Sequence, residues 1–241
     1  MDLVCRNRFD GAFFHQLHDC IMPHICEIDS LERSSGSACY DSWQDRWIRI
    51  LAPHSKRVAR GCQRPSPRAS CNTYETLQRL VNAKVAPSSD TVVLLKRSGT
   101  RSFDEFDKIR DALQHVGPVV VYTGNEPARR TMDLFQNAKY LVGYHGAGLV
   151  NAVFMRNHTK ILEISTYQNL NNTVPWRSNL PSVTRWGTYV TRVLRLPLEQ
   201  VLSANKAPYR VKDPDHYIKY LKRVRLTDAD LREIVAFGNA S

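Results

Sequence analysis

The sequence predicts an α/β fold with a parallel sheet in its carboxyl-terminal part. Three observations carry this. Short apolar runs begin near residues 91, 119, 140 and 160. Segments with helical spacing separate them, and Gly, Pro and Asn mark the junctions. Strands alternating with helices read as βαβ units, whose crossovers are right-handed and whose sheet is parallel.

Each element follows from its residues. Thr91-Val92-Val93-Leu94-Leu95 is a β-branched run suited to a strand buried on both faces. Ser102 and Glu105 form a capping-box pattern, and Phe103, Phe106, Ile109, Leu113 and Val116 continue it at helical spacing. Gly117-Pro118 stops that helix. Val119-Val120-Val121-Tyr122 is the second strand. Asn125-Glu126-Pro127 opens another helix, with Asn125 as cap. Tyr140 to Tyr144 is the third strand, Leu149 to Met155 a short helix, and Lys160 to Ile164 the fourth strand. Helices are expected near Asp213-Pro214 and from Thr227, with Asp230 three residues on. The amino-terminal part is irregular apart from an amphipathic segment around 13–26. Pro-rich stretches between 61 and 90 suggest a boundary, dividing the chain into parts at 1–88 and 89–241.

Bulk properties narrow the function. A hydrophobic share of 42% supports a real core and excludes a disordered chain. No run of roughly 18 apolar residues is present to span a bilayer. The net charge of +11 points to an anionic partner. The basic residues are scattered rather than gathered in a stripe with aromatics, so a nucleic-acid-binding domain is the lesser reading. All six cysteines precede residue 72, without a CxxC pair, and are read as reduced thiols because no secretory signal accompanies them. On that reading the protein is cytoplasmic, or lumenal in the Golgi or ER if an amino-terminal anchor is missing. Three Asn-x-Ser/Thr sequons, at Asn157, Asn171 and Asn239, carry weight only with a secretory route.

The most informative stretch is Gly143-Tyr144-His145-Gly146-Ala147-Gly148-Leu149-Val150-Asn151. It follows a strand and opens a helix, where glycines admit a ligand to the backbone and free N–H groups attract anions. His145 is placed to donate to a phosphate. Arg97 and Arg101, at the end of the first strand, suit phosphate through their bidentate, permanently charged forks. Glu163, on the fourth strand, is a candidate acceptor for ribose hydroxyls. Thr123 and Gly124, at the end of the second, are candidates to touch base or diphosphate. His15 and Asp19, four apart on one helix face, could act as a base and its orienter. The group His15, His18, Cys20, His24 and Cys26 matches no common metal spacing.

The His-Gly-Ala-Gly-Leu-x-Asn string resembles glycosyltransferase family 61. Leu94-Leu95-Lys96-Arg97-Ser98-Gly99-Thr100-Arg101 is similar to the family's strand with two spaced arginines. Leu134-Phe135-Gln136-Asn137-Ala138 is similar to its LFxxA helix. Asn151 to Met155, Ile161 to Ile164 and Phe13-Phe14-His15 extend the likeness, which covers about residues 11–225 and is strong over 91–165. Ser102-Phe103 stands where the family has Asn-Glu, and Arg130-Thr131 where it has Glu-Gln. The resemblance implies a GT-B-like architecture of two facing α/β domains, with 1–88 on the acceptor side and 89–241 binding the nucleotide-sugar. It implies an inverting transferase, without a required metal or other cofactor, that moves xylose or N-acetylglucosamine from a UDP-sugar to a glycan hydroxyl. Its donor site would comprise Arg97, Arg101, Thr123, Gly124, His145, Gly146, Ala147, Gly148, Asn151 and Glu163, with His15 as base beside Asp19. The departures leave a catalytically inactive nucleotide-sugar or glycan binder as the alternative.

Overall fold

A computed structural model of the chain describes residues 25, 26, 28, 37–39, 51, 56–58, 73–82, 90–97, 101–166, 178, 180–184, 187–197, 200 and 223–240. Its centre is a five-stranded sheet in which every pairing is parallel. The four expected strands are present as β3 (Thr91–Leu95), β5 (Val119–Tyr122), β6 (Ala138–Tyr144) and β7 (Lys160–Thr166). A fifth, β8 (Val190–Leu196), pairs with β7 along its whole length. The order across the sheet is β5-β3-β6-β7-β8. After β3 the chain moves outward to β5, then returns past β3 to β6. The connections leaving β3 and β6 therefore diverge, and a crevice opens beyond their carboxyl ends.

Both faces of the sheet are covered, which is why β3 is buried at all five positions. On one face Val92, Leu94, Tyr140, Val142 and Leu162 pack against α2 (Phe106–Leu113) and α5 (Asp228–Asn239), through Ile109, Leu113 and Ile234. Buried Tyr140 donates from its hydroxyl to the Ile234 carbonyl at 3.0 Å, and burial pushes its phenol well above the ordinary value. On the other face Val93, Leu95, Leu141 and Ile161 pack against α3 (Ala128–Gln136), a 3₁₀ helix (Ala147–Phe154) and α4 (Leu180–Thr184). Helix α1 (Thr73–Asn82) adds Leu77 and Leu80 to this core, and Ile25, Ile28 and Leu51 join it. Gln78 of α1 donates to the Met155 carbonyl at 3.0 Å. Two small parallel pairs complete the description: β1 (Ser37–Cys39) with β2 (Lys56–Val58), and β4 (Ser102–Phe103) with β9 (Arg223–Val224).

Several local expectations need correction. Ser102 does not cap a helix. It lies in β4, and Phe103 turns into the core beside Val224, so α2 begins only at Phe106. Asn125 caps nothing: α3 starts at Ala128 after Pro127, whose extended ψ of 145° ends the loop. Between the two Pro-rich stretches lies a helix not expected from the sequence, α1. The reduced-thiol reading fails for Cys26, which is disulfide-bonded, and no cysteine is free among the described residues. The helix expected from Thr227 is present as α5, with the Thr227–Asp230 capping box formed in both directions. The helix expected near Asp213 lies outside the described residues.

Candidate functional site

Above the β3/β6 divergence lies a cleft of about 220 Å³. Its floor and walls come from the carboxyl ends of three strands: Leu95, Lys96 and Arg97 after β3, Tyr122, Thr123 and Gly124 after β5, and Tyr144, Ala147, Gly148 and Asn151 after β6. Six of the residues expected to hold a donor thus line one cavity: Arg97, Thr123, Gly124, Ala147, Gly148 and Asn151. Tyr122 and Tyr144, given no role from the sequence, also line the cleft.

The backbone of His145 gathers two arginines. Arg101 donates to its carbonyl at 3.1 Å, and Arg97 approaches the same oxygen at 3.5 Å. Two guanidinium groups are therefore drawn together; Arg97 lines the cleft, and Arg101 and Gly146 do not. The Arg97 pKa is lowered to about 10, chiefly by burial and next by the neighbouring Arg101 charge, with Tyr144 working the other way. Burial likewise lowers Arg101. Arg101 also has a φ of +63°, a left-handed conformation that costs a non-glycine residue about 1–2 kcal/mol. Gly146 is needed for this arrangement. A Cβ there would fall 1.8 Å from the Arg97 Nη1, so only glycine lets the guanidinium lie against the turn.

The His145 ring is not among the residues lining the cleft. Its Nδ1 lies 2.5 Å from the Glu163 Oε1. A carboxylate accepts, so the ring donates through Nδ1. The second oxygen of Glu163 accepts from the Ser178 hydroxyl. Glu163 is fully buried, with both oxygens engaged, and is directed at His145 rather than at an open surface where a ribose would lie. Ser178, fifteen residues further on, belongs to no motif.

The donors expected from Thr123 and Gly124 are engaged as well. The Glu126 carboxylate accepts from the Thr123 amide at 2.9 Å, the Thr123 hydroxyl at 3.0 Å and the Gly124 amide at 2.8 Å. Burial raises the Glu126 pKa, but these bonds together outweigh it and hold the group below its ordinary value. Asn151 is fully buried. Its Nδ2 donates to the Gly148 carbonyl at 2.9 Å, and its Oδ1 has no hydrogen-bond partner among the described residues. His15 and Asp19 lie outside the described residues.

Comparison with known proteins decides the class. A family model described as Glycosyltransferase 61 matches residues 13–162, more than half of the chain. The chain belongs to glycosyltransferase family 61. No curated protein matches the sequence. As a member of family 61 the chain carries the signature of a sugar transferase, and its cleft lies within the matched span. Two Asp-x-Asp triplets, a spacing able to hold a divalent cation against a diphosphate, occur in this family 61 chain. Asp213-Pro214-Asp215 lies outside the described residues. In Asp228-Ala229-Asp230, the Asp230 carboxylate is committed to capping α5, accepting from the Thr227 amide at 2.7 Å and from Gln200 at 2.9 Å.

Proposed function

We propose that the cleft beyond β3 and β6 is the donor site of an inverting glycosyltransferase that uses a UDP-sugar, with xylose or N-acetylglucosamine as the transferred group. The observation that carries this is the convergence of Arg97 and Arg101 on the His145 carbonyl, with Arg97 lining a cleft at the sheet's switch point. Two paired cations lowered in pKa by burial gain most from an anion that displaces water. A diphosphate supplies it. The buried Asn151 Oδ1 would gain a partner from a ligand N–H or O–H.

In the proposed reaction an acceptor hydroxyl attacks the anomeric carbon on the face opposite the diphosphate. The new carbon–oxygen bond forms as the bond to the phosphate oxygen breaks, and the hydroxyl proton passes to a base. His15, oriented by Asp19, is the proposed base. Negative charge gathers on the departing UDP, where Arg97 and Arg101 stabilise it. In this scheme the protein's own cations neutralise the leaving group without a metal. Glu163 holds the His145 ring and so sets the shape of the turn. A second, facing domain of GT-B type would bring the acceptor.

Ser102-Phe103 and Arg130-Thr131, in place of the family's usual pairs, favour a second reading in which the site binds without turnover. Thermal-shift screening with UDP, GDP and their sugars, with and without EDTA, tests the donor site. Stabilisation by UDP-sugars that survives EDTA and is lost in Arg97→Ala supports it. No shift with any nucleotide removes the donor-site assignment, and a shift without released UDP in the presence of glycan acceptors selects the second reading.

A further inference from the structure

We propose that Asn157 is an attachment site for an N-linked glycan, so that this chain is itself a glycoprotein. Three independent observations meet there. Asn157-His158-Thr159 is an acceptor sequon. Cys26 is disulfide-bonded, which belongs to an oxidising compartment of the kind where such glycans are added. The third is geometric. Asn157 and His158 are exposed in the tight turn between the 3₁₀ helix and β7, and His158 adopts a φ of +63° to make that turn.

The amide of Asn157 is oriented for substitution. Its Oδ1 accepts from the Thr188 amide at 2.7 Å, which assigns Nδ2 as the remaining atom. A sugar on Nδ2 replaces one N–H and leaves that bond intact. In the transfer, Nδ2 forms a bond to the anomeric carbon of a polyprenyl-diphosphate-linked oligosaccharide. The bond from that carbon to the diphosphate oxygen breaks, the amide loses one proton, and the polyprenyl diphosphate leaves. Thr159 is buried in the fold, where its hydroxyl donates to the Arg156 carbonyl at 2.7 Å, so the transfer precedes docking of β7.

Position makes the modification compatible with the cleft. The turn precedes β7, at the amino edge of the sheet, whereas the cleft lies beyond the carboxyl edge. Seven residues of β7 separate the two edges, about 20 Å at a strand's rise per residue. The inference holds whether or not the cleft takes a nucleotide-sugar.

The test is mass-spectrometric mapping of the full chain, led into the secretory pathway of cultured eukaryotic cells, before and after peptide N-glycosidase. The expected result is a glycan on the peptide holding Asn157, released by the enzyme. Asn157→Gln should lose the mass of one glycan while any nucleotide-induced thermal shift is unchanged. Mapping of the unsubstituted chain does not depend on how that variant folds. An unmodified Asn157 in protein with oxidised Cys26 overturns the proposal. So does glycan found only at Asn171 or Asn239, or a Cys26 that stays reduced in the secreted chain.

Discussion

Replacing Glu163 by Ala tests whether the buried His145–Glu163–Ser178 group holds the glycine turn. Glu163 has no exposed surface and accepts from His145 at 2.5 Å and from the Ser178 hydroxyl. With Ala at this position buried His145 and half-buried Ser178 lose their acceptor. Each orphaned donor costs about 1–3 kcal/mol, or about 2–6 kcal/mol together. That range brackets the about 3–5 kcal/mol found when one member of a buried pair is removed. A chain of this size loses about 2–4 °C of Tm per kcal/mol, so 3–5 kcal/mol corresponds to about 6–20 °C. Glu163→Gln keeps an oxygen for Ser178 but puts an amide group against the ring, so its loss should be smaller, about 1–3 kcal/mol. Urea unfolding followed by tryptophan fluorescence gives both values. If Glu163→Ala stays within about 1 kcal/mol of the parent chain, the two donors are not buried in solution and the reasoning fails.

Gly146→Ala should cost about 1–3 kcal/mol of stability, because its φ of +159° lies in a region that only glycine enters readily, while the clashing Arg97 Nη1, the end of a flexible side chain, can move aside. It should weaken UDP binding by about tenfold, or about 1.4 kcal/mol, as the displaced guanidinium loses a charge-assisted bond. Titration calorimetry reads the affinity, and an unchanged value refutes a role for the Arg97–turn contact. Arg97, with its pKa lowered to about 10, should also make anion binding fall as pH rises through that value, while inorganic phosphate keeps its charge. The sign for stability is opposite. The folded-state pKa lies below the unfolded one, so the cost of burying this cation is present at neutral pH and relieved as pH rises above about 10. Phosphate-induced thermal shifts measured from pH 8 to 10.5 should shrink, and a constant shift counts against Arg97 as ligand.

Much of the central sheet was legible because its strands are buried on both faces and so read as unbroken apolar runs. Edge strand β8 was not. Val190-Thr191-Arg192-Val193-Leu194-Arg195-Leu196 mixes arginines with apolar residues, and only Leu194 and Leu196 are buried. Helix α1 was hidden by the Pro-rich stretches beside it. Helix starts went wrong where tertiary contacts overrode a local pattern, as when Phe103 entered the core from β4. At the site, the glycine turn and both arginines were legible from residue type and from their place after a strand. Glu163 was found as a residue but not as a partner of His145, because Ser178 and the fold of β7 against β6 fix its direction. Glu126 was missed for the same reason: nothing in a single sequence tells whether a carboxylate or a ligand will take the Thr123 and Gly124 donors.

His145 has two functions separated by its own backbone. Its side chain joins the Glu163–Ser178 group, while its carbonyl receives Arg101 and Arg97, the second of which lines the cleft. The ring therefore need not touch a ligand to matter. Anchoring the ring fixes the peptide plane, the plane fixes the carbonyl, and the carbonyl sets the spacing of two cations that would otherwise repel each other. On this argument a conservative change at buried Glu163 and the loss of Arg101 should have related effects on anion binding. An apolar replacement of His145 would break both ends of the arrangement at once.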